Sequence, residues 1–363
     1  MRVILAGGGT AGHINPALAI ADTIKKHSPE SEFLFVGRKN GMEGTLVPKV
    51  GYKMDYIDVR GIKRKLTPEN LMAIFKAASA SIKCRKIVKK FKPDIVIGTG
   101  GYVSGPMLLA AASMNIPTLI HEQNVFAGMT SRMLSKKVDT VCIAFEKARN
   151  AFPDAKKVVL TGNPLRAELF DSNRIDARIK LCLDSKPFVV VFGGSLGAEK
   201  INETMTEYVK SMDADDYNIL FATGEREYDK VLESLNGVDK KSVKVVKYIY
   251  NMNEVMQAAD LLVCRAGAIT VSEITALGKP AVLIPSPNVT DNHQYHNAKA
   301  VADNNGAVLL EEKDLDVKAF AETMESLLAN DVRLAEMSVN AKKMAITDAT
   351  EIIYGEIEKL TRG

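Results

Sequence analysis

The chain has 363 residues, more than one ordinary hydrophobic core accommodates, so two domains are expected. Hydrophobic residues at 46% and charged residues at 25% exclude the disordered and fibrous classes, and a formal net charge of +4 is too small to imply nucleic acid by itself. Four cysteines, Cys84, Cys142, Cys182 and Cys264, show no C-x-x-C spacing and no histidine at metal-ligand spacing, which argues against a zinc site or a disulfide framework and for a reducing compartment.

The chain enters an apolar strand at Arg2 with no cationic-then-apolar leader, and its longest apolar run, 106–116, is too short to span a bilayer. It is therefore expected to be neither secreted nor integral. The strand 3–6 runs into Gly7-Gly8-Gly9-Thr10-Ala11-Gly12-His13, and a helix is expected to open at Pro16. Small residues there bring backbone N–H groups and the positive end of a helix close to an anionic ligand. The spacing also fits the G-x-G-x-x-G of dinucleotide-binding turns, although a tight strand-to-helix turn without a ligand has the same signature. His13 in such a loop suits general base work, the plain alternative being a histidine that caps the helix.

Further strands are expected at 32–37, 53–59, 94–97, 118–122, 140–144 and 157–161, with helices over 69–91, 102–114 and 128–135. This alternation predicts a parallel sheet with helices on both faces and ligands beyond the carboxyl ends of its strands. Thr161-Gly162-Asn163-Pro164-Leu165-Arg166 ends the series in turn residues, and the polar stretch up to Pro187 reads as a linker. At Phe188 the opening unit repeats in kind: an apolar strand 188–192, then Gly193-Gly194-Ser195-Leu196-Gly197-Ala198 and a helix. Strands follow near 218–222, 243–247, 261–264, 281–284 and 307–310, and 332–360 is helical by period. Two doubly wound α/β domains, 1–163 and 164–345, are expected to face one another across a cleft, with the terminal helix 346–363 packing back on the first.

Several polar clusters sit at expected strand ends. Gly98-Thr99-Gly100-Gly101-Tyr102-Val103-Ser104-Gly105-Pro106 offers Thr99, Tyr102 and Ser104 to a polyol or phosphate, or is a loop whose glycines allow close packing. His121-Glu122-Gln123-Asn124 suits recognition of sugar hydroxyls. In the second half, Arg265-Ala266-Gly267-Ala268-Ile269-Thr270 leads from a strand into a helix, and Thr270 and Glu273 have capping-box spacing. The same terminus could instead bind a diphosphate while Glu273 accepts from a ribose. Asp291-Asn292-His293-Gln294 either N-caps a helix through Asp291 or holds a sugar through Gln294. No carboxylate pair has metal-site spacing with supporting context; Asp213-Ala214-Asp215 reads as an exposed loop, so diphosphate charge would fall to helix ends and Arg166.

The segment 60–92 is separate in character: Lys63, Arg64, Lys65, Lys76, Lys83 and further basic residues face a single acid, Glu69, with Leu71, Met72, Ile74 and Phe75 among them. It suits an anionic membrane surface, or is a solvated helix over the core.

Taken together, 8–13, 100–106, 121–124, 162–166, 193–198, 265–273 and 291–294 closely resemble, from end to end and in order, a family of bacterial GT-B glycosyltransferases. These are the N-acetylglucosaminyltransferases that convert lipid I to lipid II in peptidoglycan synthesis. Ala11 departs from the glycine usual in that family and slightly narrows the approach of a ligand. The resemblance implies a GT-B fold of two Rossmann-like domains, with UDP-GlcNAc held mainly by the second. It implies donor contacts from Thr10, Ala11, Gly12, Asn124, Arg166, Ser195, Ile249, Ala268, Ile269, Thr270, Glu273 and Gln294, with Ile249 reading the uracil through its backbone. His13 would be the base that deprotonates the C4 hydroxyl of the lipid-linked N-acetylmuramic acid, with inversion at the sugar C1. Tyr102, Ser104, His121 and Glu122 are expected on the acceptor side. No metal or other cofactor and no nucleic acid is implied. A lipid-linked acceptor places the protein peripherally on the cytoplasmic face of the cell membrane, which favours Lys63, Arg64, Lys65, Leu71, Ile74 and Phe75 as the anionic-membrane patch. Other cell-wall synthesis proteins are the implied partners.

Rival readings remain distinguishable. A nicotinamide-dependent oxidoreductase would want an acid at the end of the second strand to hold the adenosine ribose, yet that strand ends Val36-Gly37-Arg38. A non-catalytic UDP-sugar-binding or membrane scaffold module, and a glycolipid synthase using diacylglycerol, share the donor half.

Overall fold

The structure, a computed structural model, describes residues 1–59, 68–194, 197–212, 216–238 and 240–362, and for 68–78 the helical backbone alone. The chain forms two compact units, Met1–Arg166 with Ile346–Gly363, and Ala167–Ala345.

The first unit carries a seven-stranded sheet in the order β3-β2-β1-β4-β5-β6-β7. Its strands are β1 (Arg2–Gly7), β2 (Glu32–Gly37), β3 (Lys53–Tyr56), β4 (Ile95–Gly100), β5 (Thr118–Glu122), β6 (Thr140–Ile143) and β7 (Val158–Leu160). Every pairing is parallel. The second unit repeats the plan with six strands, β8 (Phe188–Phe192), β9 (Asn218–Ala222), β10 (Val243–Val246), β11 (Leu261–Cys264), β12 (Ala281–Leu283) and β13 (Val308–Leu309), ordered β10-β9-β8-β11-β12-β13 and again all parallel. In both sheets the order reverses beside the first strand, at β1/β4 and at β8/β11, where doubly wound sheets bind ligands.

Both faces of the first sheet are covered, which is why its strands read as unbroken apolar runs rather than alternating ones. Ile4, Ala6, Val96 and Ile120 pack with Val88, Met107, Leu108 and Leu134 on one side, whereas Val3, Leu5, Ile95 and Leu119 pack with Ile14, Leu18, Ile24, Ile353 and Ile357 on the other. The helix Ala349–Arg362 thus contributes its buried stripe to the first unit.

Four departures from the sequence expectations have local causes. The first helix spans Ala11–His27, so Pro16 lies inside it and removes one internal hydrogen bond; Ala11, Gly12 and His13 form the first turn rather than a loop. Strand β4 runs on through Gly100, because a register shift pairs Ala6 with Gly98 and Gly7 with Gly100 and leaves Thr99 as the extra residue. Much of the expected linker belongs to the second unit: Leu169 and Ala177 are buried, the helix Arg174–Lys180 is capped by Asn173, and Arg178 pairs with Asp260 at 2.9 Å. The terminal helical stretch is broken into Asp331–Lys343 and Ala349–Arg362, and Ile346 in the break covers Gly162 so closely that a Cβ there would stand 2.6 Å from its own.

Candidate functional site

At the β1/β4 end of the first unit, His13 is the third residue of its helix and is held on several sides. Its Nδ1 lies 2.9 Å from the Gly8 carbonyl oxygen, which can only accept, so Nδ1 carries the proton and the lone pair resides on Nε2. The hydroxyl of Thr99, the extra residue of the bulge, donates to the His13 carbonyl at 2.7 Å. Gly100, at φ +111°, lies against the ring: a Cβ there would stand 2.6 Å from Cδ2 and 2.9 Å from Nε2. Glycine at 100 both tolerates the left-handed backbone and leaves Nε2 approachable. His13 is partly exposed and Thr10 exposed, while Thr10 makes no side-chain cap, so the turn formed with Ala11 and Gly12 opens on solvent.

Other expected contacts on this unit serve as supports. Ser104 is fully buried; its hydroxyl donates to the Ala6 carbonyl at 2.7 Å and accepts from the Gly100 N–H at 3.0 Å, so it braces the β1/β4 ends instead of facing an acceptor. His121 is also fully buried, with Nε2 2.9 Å from the Gly162 carbonyl and Nδ1 accepting from the Gln123 amide at 2.9 Å. Burial pushes its pKa down to about 4, which keeps it neutral and structural. Glu122, 3% exposed, gathers the N–H groups of Asn124 and Gly128 and the Asn124 side-chain amide. A strand-end position identified this cluster, but these side chains fold inward over the sheet end. Tyr102, by contrast, is 57% exposed, and Asn124 and Arg166 also reach the surface to differing degrees.

Sequence reasoning missed Glu43 here. Its carboxylate is completely buried and accepts from the Gly9 N–H at 2.9 Å and from the Arg38 N–H at 2.9 Å, with the Arg38 guanidinium 3.6 Å away. Burial opposes its ionisation, but the two N–H groups and the Arg38 charge more than offset this and hold it below the ordinary carboxylate range. The signal lay in glycine spacing: a Cβ on Gly8 or Gly41 would overlap this carboxylate, and one on Gly37 would meet its Cγ at 2.5 Å.

At the β8/β11 end of the second unit a cavity of about 430 Å³ is lined by Gly193, Gly194, Gly197, Arg265, Gly267, Thr270 and Gln294, among others. The expected capping box does not form. Gly267 is the N-cap of the helix Ala268–Leu277, so Thr270 lies in the first turn and Glu273 a turn further on, and Gly267 has no side chain with which to cap it. Ala268 and Ile269 open this helix beside the cavity. Burial pushes the Glu273 carboxyl up to about 7. Gln294 offers its side-chain oxygen to the Ser286 N–H at 2.9 Å, which leaves its Nε2 donors for the cavity. Asn292 rather than Asp291 occupies the N-cap position of the helix His293–Ala302, its own side chain makes no cap, and both residues adopt the left-handed conformation at φ +54° and +50°. Arg265 was quoted only as part of its motif. It ties the site together by donating to the Ile284 and Pro285 carbonyls and pairing with Glu312. Ile249 is buried and does not line this cavity, so only its backbone is on offer.

Ser195 lies outside the described residues, as do Lys63, Arg64 and Lys65 and the side chains of Leu71, Ile74 and Phe75. Among the described residues no group of three or more His, Cys, Asp or Glu could hold a metal ion, and no helix is long and apolar enough to cross a membrane.

Known families account for this arrangement. Residues 3–143 match the glycosyltransferase family 28 N-terminal domain and residues 188–353 its C-terminal domain. Two relatives, from Acetivibrio thermocellus and Caldanaerobacter subterraneus, are each 49% identical over essentially the whole of both chains. Both are named UDP-N-acetylglucosamine–N-acetylmuramyl-(pentapeptide) pyrophosphoryl-undecaprenol N-acetylglucosamine transferase. The crystal structure of Acinetobacter baumannii MurG superposes with a TM-score of 0.78 at 32% identity, covering 99% of each chain. The GT-B fold class inferred from the sequence is borne out by these matches. The chain belongs to glycosyltransferase family 28, among the MurG-type N-acetylglucosaminyltransferases.

Proposed function

We propose that the chain moves N-acetylglucosamine from UDP-GlcNAc to the C4 hydroxyl of the MurNAc of undecaprenyl-diphosphate-MurNAc-pentapeptide, turning lipid I into lipid II in peptidoglycan synthesis. The observation that carries this reading is the fixed tautomer of His13, whose Nδ1–H is committed to Gly8 and whose Nε2 can take a proton. Nε2 removes the proton of the C4 hydroxyl as that oxygen attacks C1 of the donor sugar. The C1–O bond to UDP breaks on the opposite face, and a β-1,4 linkage replaces the α-linked donor bond.

In this reading the second unit holds the donor. The helix terminus that opens at Gly267 meets the diphosphate, Gln294 the sugar and Glu273 the ribose hydroxyls, with Ser195 and the Ile249 backbone as further contacts. Thr10, Ala11, Gly12, Asn124 and Arg166 remain proposed donor contacts of the first unit. Diphosphate charge is balanced by helix termini and Arg166, so no metal enters the scheme.

The acceptor's polyprenyl chain places the protein peripherally at the cytoplasmic membrane surface. Support comes from exposed apolar side chains in and after the basic segment: Ile82, on the helix Pro68–Phe91, is 61% exposed, and Met133, two helices further on, 72%. Exposed apolar side chains beside Lys83, Arg85 and Lys86 suit an anionic bilayer. Incubating the protein with UDP-GlcNAc and a lipid I analogue tests the proposal: a β-1,4-linked disaccharide product and released UDP are expected. UDP binding without transfer would reduce the chain to a nucleotide-sugar-binding module.

A further inference from the structure

Glu43 is one turn of chain beyond β2, yet it is built into the wall of the His13 loop. Its Oε2 accepts from the N–H of Gly9, and the carbonyl of the same peptide group, that of Gly8, accepts from His13 Nδ1–H, each at 2.9 Å. One amide therefore joins a buried carboxylate to the imidazole. The packing around the carboxylate is close: Gly8, Gly37 and Gly41 make room for it, and Gly101 makes room for the Gly8 carbonyl itself. Arg38 fixes the other carboxylate oxygen through its N–H, with its guanidinium 3.6 Å away.

We infer that Glu43 is a positioning residue of the transferase reaction, fixing the tautomer of His13 and strengthening it as a base through the shared Gly8–Gly9 peptide. A negative charge on the amide N–H draws electron density toward the carbonyl oxygen and makes it a stronger acceptor, because hydrogen bonds in a chain polarise one another. The imidazolium formed when Nε2 takes the proton keeps its Nδ1–H on that carbonyl, so the stabilisation grows as the reaction proceeds. No proton leaves Nδ1, and Glu43 touches neither substrate. Glu43 is bonded to this peptide, and the Arg38 guanidinium stands beside that carboxylate. The arrangement does by way of a peptide what a carboxylate bonded directly to histidine does elsewhere.

This inference rests on His13 being the base, and the test separates the two. In Glu43→Gln the shape is kept and the charge removed. The expectation is a kcat lower by about tenfold with KM for both substrates within about twofold, and an acid limb of kcat/KM displaced to lower pH. In a His13→Ala background the same change should cost nothing further. A Glu43→Gln enzyme with normal kcat and an unmoved acid limb overturns the relay while leaving the base intact, provided His13→Ala abolishes transfer. Should His13→Ala retain transfer, the base reading falls and the relay with it. Nitrogen-15 NMR of the imidazole in the unmodified protein needs no variant to fold: an Nδ1–H tautomer is expected, and a predominant Nε2–H tautomer contradicts the inference.

Discussion

The two sheets share one topology and one switch point, yet their glycine-rich ends are finished in opposite ways. In the first unit the space beyond β1 and β4 is filled by the protein's own groups: Glu43, Thr99, Ser104 and Gln123 satisfy the loop from within, and the partly exposed imidazole of His13 is presented beside the exposed Thr10. In the second unit the equivalent space beyond β8 and β11 is left as a cavity of about 430 Å³ beside a helix that opens at a glycine N-cap. The same backbone plan thus ends once in a packed loop around an imidazole and once in an open cavity beside a helix start. A glycine-rich turn is permissive for both, and the difference is made by side chains that arrive from elsewhere in the chain.

Breaking the first half should have the largest effect. His13→Ala is expected to lower transfer by about 10²- to 10⁴-fold, the range of a general base, as read by steady-state product formation. Next comes Gly100→Ala, which places a methyl 2.9 Å from Nε2 on a backbone at φ +111°. It should cut kcat about 10- to 100-fold by displacing the ring and cost roughly 1–3 kcal/mol in a urea titration; unchanged kcat would show that ring placement is not critical.

Glu273→Gln addresses the second half. Replacing one carboxyl oxygen by an amide nitrogen removes an acceptor for the ribose hydroxyls and should weaken UDP binding by about tenfold in a calorimetric titration, with transfer at saturating donor little altered. The same residue gives a pH signature. Its folded pKa of about 7 lies above the ordinary 4.5, so the native state binds the proton more tightly than the unfolded chain. That contribution to stability is complete below about pH 4.5 and is lost as pH rises through 7. Compared with Glu273→Gln, the unmodified protein should therefore lose about 2 kcal/mol between pH 5 and 8 in denaturant midpoints, allowing for partial solvation. Parallel pH dependence of the two proteins would contradict the raised carboxyl pKa.

The smallest effect is expected at the periphery: charge reversal of Lys63, Arg64 and Lys65 should reduce co-flotation with anionic liposomes several-fold while transfer to a soluble acceptor persists. Unchanged flotation would move the membrane contact elsewhere, with Ile82 and Met133 the next surface to vary.

Strands were readable from the sequence to within a residue or three because both faces of each sheet are buried, and continuous apolar runs such as Phe188–Phe192 have few other homes. The first helix was read as starting at Pro16 because proline favours a first turn, whereas the real first turn uses Ala11 and Gly12, small residues that resemble a loop. For the site, motif order was enough to single out His13, Thr270 and Gln294. The supports were not legible in the same way. His121 and Ser104 looked like ligand contacts because strand ends usually expose such residues, and only packing shows them turned inward. Glu43 is 34 residues from the peptide it grips, and no local pattern ties the two.

A crossed measurement on His13→Ala and Glu273→Gln, UDP affinity by calorimetry beside single-turnover GlcNAc transfer to a lipid I analogue, tests the division of labour most directly. The expectation is that His13→Ala binds UDP within about twofold of the unmodified protein and transfers at least 10²-fold more slowly, while Glu273→Gln binds about tenfold more weakly and, once saturated, transfers normally. Near-normal transfer by His13→Ala, or unaltered UDP affinity in Glu273→Gln, would contradict it.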